Sequence, residues 1–344
     1  MISYRAQLAK IGEQPGTPVS YQNFGWRPAS LRQAMRAMDF PQQFQQATEK
    51  PGRINEDWTE EIQGVVWDGA HWIFSSNGSQ PEKGFTFGDS PKALYVFNGT
   101  TNFVSPAGAF VIAAVHPGPP GFTQVTPHIP PPPGFTTINH VGPLVIHNGL
   151  LYVEHWIDNS GHLIVCELNN GAVAFKEWME LESAEGKRVG MVGINPWDGT
   201  IFTCHGDIGI TKLFLHGLDG KLLKRKDGTV RELSLTPPIN DNGFVQGGAV
   251  SPNGHIYIAS GRRQEDLGRD HQFIYCYSAL NGHLLNTIAV LAEDTGQELE
   301  GVCYADVTRA GHHVQLHAVL LDNFTLEKDD IFLKSFAASE PDLV

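Results

Sequence analysis

The strongest constraint in this chain is a hairpin unit that recurs five times between about residue 60 and the C-terminus. Each unit has a glycine, a short apolar strand, a tight turn and a second β-rich strand. Gly64-Val65-Val66-Trp67-Asp68-Gly69 runs into His71-Trp72-Ile73-Phe74, and Gly142-Pro143-Leu144-Val145-Ile146-His147-Asn148-Gly149 runs into Leu150-Leu151-Tyr152-Val153. Gly193-Ile194-Asn195-Pro196-Trp197-Asp198-Gly199 leads into Thr200-Ile201-Phe202-Thr203. Gly247-Gly248-Ala249-Val250-Ser251-Pro252-Asn253-Gly254 leads into His255-Ile256-Tyr257-Ile258. The fifth unit, Gly301-Val302-Cys303-Tyr304, reaches Val314–Leu320 through a longer turn ending at Gly311. Asn-Gly and Asp-Gly between apolar runs are strong hairpin signals, because a type I′ turn needs φ > 0 at both central residues.

A second hairpin follows each of the first four units. It starts at Leu94–Phe97, Leu163–Cys166, Leu213–Leu215 and Phe273–Cys276 and turns at Asn98-Gly99, Asn170-Gly171, Asp219-Gly220 and Asn281-Gly282. Two hairpins per unit make a four-stranded antiparallel sheet. The anchoring glycines at 64, 142, 193, 247 and 301 set a period of about 50 residues after the first interval, within the range of repeat architectures. That first interval is longer because it holds the insertion 116–137, with His116-Pro117-Gly118-Pro119-Pro120-Gly121 and Pro130-Pro131-Pro132-Pro133-Gly134. Proline removes ladder donors, so this stretch is expected to be a loop of polyproline character.

The pattern resembles the five-bladed β-propeller superfold over most of the chain. The expected fold is therefore all-β, a single domain over 1–344 built of four-stranded antiparallel blades. The units fall at 61–115, 138–187, 188–240, 241–295 and 296–344, with an N-terminal arm over 1–60. The fifth unit ends at Ile331–Phe336 with no fourth strand after it. The alternating N-terminal run Ser3–Ala9 is the candidate that closes the ring and removes an exposed edge. A short helix capped by Ser30 is expected after it, at Pro28–Met35.

Composition narrows the partners. With 24 Lys+Arg against 37 Asp+Glu the net charge is −13, which argues against nucleic acid or an anionic membrane. The four cysteines, Cys166, Cys204, Cys276 and Cys303, lie in apolar runs and are expected to be buried thiols. The N-terminus MISYRAQLAKIGEQ lacks the apolar segment of a signal peptide and no stretch is apolar enough to span a bilayer. The expectation is a soluble, cytoplasmic protein.

In a propeller the starts of the inner strands and the ends of the second strands share one face. That places two sets of polar residues at one mouth. The first is Glu61, Gln63, His140, Arg188, Gln246, Glu298 and Glu300; the second is Asn77, Glu154, His155, His205, Asp207, Arg262, Arg263, Asp322 and Asn323. Turns and core recur between units while these residues differ, which favours one asymmetric site over five equal ones. Glu61, His140 and Glu300 are the candidate acid–base groups. Gln63, Asn77, Gln246, Arg262, Arg263 and Asn323 are the candidate substrate contacts, the two arginines as a clamp for a carboxylate or phosphate. His140, His155 and His205 can supply ligands for one divalent metal ion, although no local HExxH-type motif is present.

Five-bladed glycoside hydrolases have this architecture and use carboxylates from separate blades. Here His140 and Gln246 stand at the register where Glu61 and Glu300 stand in their units, so simple two-carboxylate chemistry is not the expectation. The His and Arg content suits a metal- or His-assisted hydrolase or lyase, acting on a small anionic molecule or sugar, at least as well. The competing readings are a lectin-like ligand-binding module and a protein-interaction scaffold that uses the Pro-rich loop.

Overall fold

The computed structural model describes residues 36–39, 53–54, 61–78, 91–98, 107–113, 128–206, 208–240, 243–252, 254–262, 271–290, 297–309, 312–322 and 329–337. Two short N-terminal strands come first, β1 (Arg36–Asp39) and β2 (Arg53–Ile54). The first blade is β3 (Ile62–Trp67), β4 (His71–Ser76), β5 (Lys92–Asn98) and β6 (Gly108–Ala113). The second is β7 (His140–His147), β8 (Leu150–Ile157), β9 (Ser160–Asn169) and β10 (Ala172–Leu181). The third is β11 (Val189–Ile194), β12 (Ile201–His205), β13 (Ile210–His216) and β14 (Glu232–Ile239). The fourth is β15 (Phe244–Val250), β16 (His255–Arg262), β17 (His271–Ser278) and β18 (Leu284–Ala289). The fifth contributes β19 (Gln297–Arg309), β20 (His312–Asp322) and β21 (Asp330–Ala337). Every blade is an antiparallel meander, and the inner strands β3, β7, β11, β15 and β19 touch in a closed ring. The chain is a five-bladed β-propeller.

The N-terminal arm completes the fifth blade, but not through the residues expected. Arg36–Asp39 pairs with Lys334–Ala337, and Arg53–Ile54 pairs further along β21 with Ile331–Phe332. The outer strand is thus in two pieces, and the start of the chain is laced to its end. Ser3–Ala9 and the helix expected at Pro28–Met35 lie outside the described residues.

Turn chemistry also departs from a uniform type I′. Asn148-Gly149 and Asn170-Gly171 do have φ > 0 at both residues. At Asp68-Gly69 and Asp198-Gly199 only the glycine is positive, because the aspartate makes an Asx turn instead. Asp68 Oδ1 accepts from the Ala70 and His71 amides, and Asp198 Oδ1 from the Thr200 amide. In the third blade Asp219-Gly220 does not lead directly to the outer strand. Bridges His216–Leu222 and Lys224–Val230 form a small extra ladder before β14 begins.

Three apolar clusters fill the spaces between blades. One joins the third, fourth and fifth, another joins the fifth, first and second, and a smaller one lies between second and third. All four cysteines are free and buried. Burial pushes the Cys166 thiol up to about 12, so it is a thiol at neutral pH. Among the described residues no helix is long and apolar enough to cross a membrane.

The inner strands share one irregularity. Each is bulged at the same level, at Gln63, Gly142-Pro143, Val192, Gln246 and Glu300. A bulge bends its strand and re-aims the next side chain. Directly after it the strands crowd the axis. A Cβ on Gly64 would lie 2.9 Å from Pro143 Cα, and one on Gly301 2.9 Å from Gly64 Cα. Gly247 has φ +145°, and a Cβ there would lie 2.7 Å from Pro143 Cβ. Pro143 therefore fills the centre of the ring, against glycines of the first and fourth blades.

This packing predicts a specific contrast. Gly247→Ala is expected to cost about 2–4 kcal/mol in denaturant unfolding, from backbone strain together with overpacking. Gly69→Ala, also at positive φ (+106°) but with nothing within 4 Å of the added Cβ, is expected to cost about 1 kcal/mol. Equal losses in the two proteins would show that the axis is not packed.

Candidate active site

The face carrying the strand starts is polar and asymmetric. Between the second and third blades, Trp156 is held between two cationic or ionisable groups. His140 pairs with it across β7 and β8 and stacks on its ring at 5.0 Å. The Arg188 guanidinium sits 4.1 Å over the same ring and 3.9 Å from Glu154 Oε1. Glu154, only 4% exposed, lies where Gly142 and Gly190 leave room. A Cβ on Gly142 would collide with the Glu154 carboxylate, and one on Gly190 would come within 3.3 Å of Oε1. The buried indole N–H of Trp156 has no acceptor among the described residues. An unmet donor of this kind costs about 1–3 kcal/mol, so its place at a mouth is informative.

Between the fourth and fifth blades, Gln246 Nε2 donates to Glu298 Oε1 at 3.0 Å. Arg262 lies over the Phe244 ring at 4.9 Å, and its carbonyl accepts from Gln272. Gln272 also bonds the Gln297 carbonyl and the Leu299 amide, stitching the two blades. Gln63 and Glu300, on the bulges of the first and fifth blades, are 5% and 4% exposed.

Glu61 opens the first blade in the left-handed region, with φ 50°. Its amide donates to Asp329 Oδ2 of the fifth blade at 2.8 Å, and its carbonyl accepts from the Asn77 amide. A non-glycine residue at positive φ is uncommon, and here both sides of its backbone are tied. Asn77 is itself a join between blades: Oδ1 accepts from the Val141 amide at 3.1 Å and from Lys92 Nζ at 2.9 Å.

The three histidines do not converge on a metal site. His140 faces the third blade through Trp156. His155 is fully buried on the other side of β8, beside His162 and Trp178 at ring distances of 6.0 and 5.1 Å. His205 stacks on Phe214 at 3.8 Å, away from both. The reason is the alternation of a strand: neighbours such as Glu154 and His155 point to opposite faces. Among the described residues no three His, Cys, Asp or Glu side chains are placed to hold a metal ion. Arg263, Asp207 and Asn323 lie outside the described residues, as does the side chain of Asp322.

The described end of the Pro-rich insertion packs on its own chain. Ile129 is 5% exposed, and Trp178 Nε1 donates to the Pro130 carbonyl at 3.0 Å. His128 bonds the Val111 backbone, and Phe135 meets His162 edge-on at 5.6 Å.

Trp156 is the member of the mouth that the sequence reading passed over, and no role had been assigned to Glu154 or Arg188. The available signal was a glutamate inside an apolar strand, facing strands that carry glycine at the same level.

No protein-family model matches the chain, and no curated protein does. Among solved structures, an exo-β-1,3-galactanase from Phanerochaete chrysosporium with β-1,3-galactotriose superposes with a TM-score of 0.47 at 10% identity, covering 85% of this chain and 67% of that one. The PQQ-bound aldose sugar dehydrogenase from Streptomyces coelicolor superposes with a TM-score of 0.38 at 9% identity, covering 80% and 94%. With about one residue in ten identical, neither likeness transfers a residue role to this chain.

The buried histidines make stability pH-dependent. The Asn139 amide donates to His155 Nε2 at 2.9 Å, so that nitrogen carries no proton. Burial, then the neighbouring His162 and Lys92, holds His155 down at about 3. An unfolded imidazole takes up its proton near 6.5, so between about pH 6.5 and 3 the unfolded chain binds more protons and stability falls as pH falls. From pH 6.5 to 5 the loss due to His155 is expected to be about 2 kcal/mol. Chemical denaturation at both values should show a shallower pH slope in His155→Gln, and an unchanged slope would contradict this placement.

Proposed function

We propose that the polar mouth is the active site of a hydrolase acting on a small sugar or sugar-like anionic molecule. One observation carries this reading: the Trp156 indole N–H is buried with no acceptor among the described residues, on a ring in contact with His140 and Arg188 and near the buried Glu154. A hydroxyl or carboxylate oxygen of a substrate would supply that acceptor. Arg188 would offer a fork of donors to the same oxygen-rich group.

The acid–base work falls to carboxylates and imidazole. Glu154 is an acceptor-rich group in a dry setting, where its interactions gain strength. On this reading Glu300 of β19, His140 of β7 and Glu61, just before β3, face the same mouth, so a substrate at the axis would have different groups on each side. Glu300 and His140 are proposed as the acid–base partners of Glu154, with Gln63 of the first blade and Gln246 and Arg262 of the fourth fixing the substrate. The difference between blades supports one substrate with distinct ends over repeated lectin-like sites.

The test is turnover on a panel of 4-nitrophenyl glycosides and glycosiduronic acids. At least one is expected to be cleaved. Glu154→Gln should then lower kcat about 100-fold or more, and Arg188→Ala should raise KM about tenfold while the fold is retained. Saturable binding of sugars with no turnover would convert the mouth into a lectin-like site. Absence of both would refute the proposal.

A further inference from the structure

The opposite mouth of the ring is built quite differently. There the ends of all five inner strands line an open-mouthed hollow of about 190 Å³, beyond the level of Pro143. Its walls include Trp67 of the first blade, Ile146 of the second, Ile194 of the third, Ala249 of the fourth, and Val302 and Tyr304 of the fifth. The lining holds no Asp, Glu, Lys, Arg or His, and burial pushes the thiol of Cys303 up, so it carries no charge at neutral pH. A charged ligand would find no counter-charge and would lose its hydration.

The walls are also braced against collapse. Trp67 leans on Trp72 at 5.0 Å, and Tyr304 stacks with Tyr257 at 6.1 Å. On the rim, Trp197 is 51% exposed and its Nε1 donates to the Pro252 carbonyl at 2.7 Å, tying the third blade's turn to the fourth's. A hollow lined by uncharged side chains and part-polar backbone leaves dispersion contacts unmade, and a volume of roughly 150 Å³ is enough to take up benzene.

We propose that this hollow is a second ligand site, for a neutral molecule about the size of one aromatic ring and separate from the polar mouth. The glycine and proline packing at the axis divides the two, so occupancy of one does not require the other. Fluorobenzene titrated into the full-length protein and followed by ¹⁹F NMR is the direct test. Saturable line broadening is expected, with a Kd of about 1 mM or tighter. The Trp67 indole resonance should shift with it while that of Trp156 stays in place.

Ala249→Leu, which fills the hollow, should abolish the broadening; if that protein does not fold, Val302→Phe serves the same purpose. Absence of broadening in the wild type would overturn the proposal. So would a folded filled variant that binds like the wild type, or a wild-type shift at Trp156 in place of Trp67.

Discussion

Everything in this protein depends on five strands being able to meet at one axis. A four-stranded blade is wide at its outer edge and must narrow at its inner one, where side chains from five directions compete for the same space. The chain resolves this by placing a bulge at one level of every inner strand, followed by a glycine in four of them and formed by Gly142-Pro143 in the second. Pro143 against Gly64 and Gly247 is a close approach of backbone to side chain that no larger residue at the glycines would permit. The same contact closes the axis. Among the described residues, this packing lies between the polar strand starts and the apolar strand ends.

The two mouths are opposite in character because of where the bulges fall. Above them lie the strand starts with Glu61, His140, Arg188, Gln246 and Glu298, and Gln246 reaches across to Glu298 of the next blade. Below them the strands run as apolar sequence to their turns. Several of the polar residues above are structural first. Asn77 fastens the first blade to the second, Gln246 and Gln272 the fourth to the fifth, and Asp329 the fifth to the first. What remains beyond stitching is the group around Trp156, where a buried donor has no acceptor among the described residues and glycines leave room for a carboxylate. On the proposed reading, an oxygen-rich ligand meets that group.

Much of the fold was legible because turn chemistry is local. Asn-Gly and Asp-Gly mark tight turns locally, and four units carry them in both hairpins at a steady period, the fifth being marked by its glycine and strands. The closing strand was placed too early, at Ser3–Ala9, because short alternating runs are common and pairing with β21 is decided 300 residues away. Arg36–Asp39 carries no pattern stronger than its competitors. The polar face was legible for the same topological reason as the blades. Its internal arrangement was not: His140, His155 and His205 look equivalent in sequence, yet alternation and interblade packing send them to three environments. Trp156 was missed because an aromatic residue in a strand reads as core unless its N–H can be followed to a partner.

The central claim is that the polar mouth is a preorganised site whose unmet donor is the Trp156 indole. The ¹H–¹⁵N spectrum of the tryptophan side chains tests it directly, since the chain has only seven such resonances. Titration with simple sugars and sugar acids should move the Trp156 indole proton downfield in a saturable way as it gains an acceptor. Arg188→Ala should weaken the response and leave the other resonances where they are. If the Trp156 signal stays fixed with every sugar and sugar acid, or if all seven indoles move together, the mouth is not a binding site and the account fails.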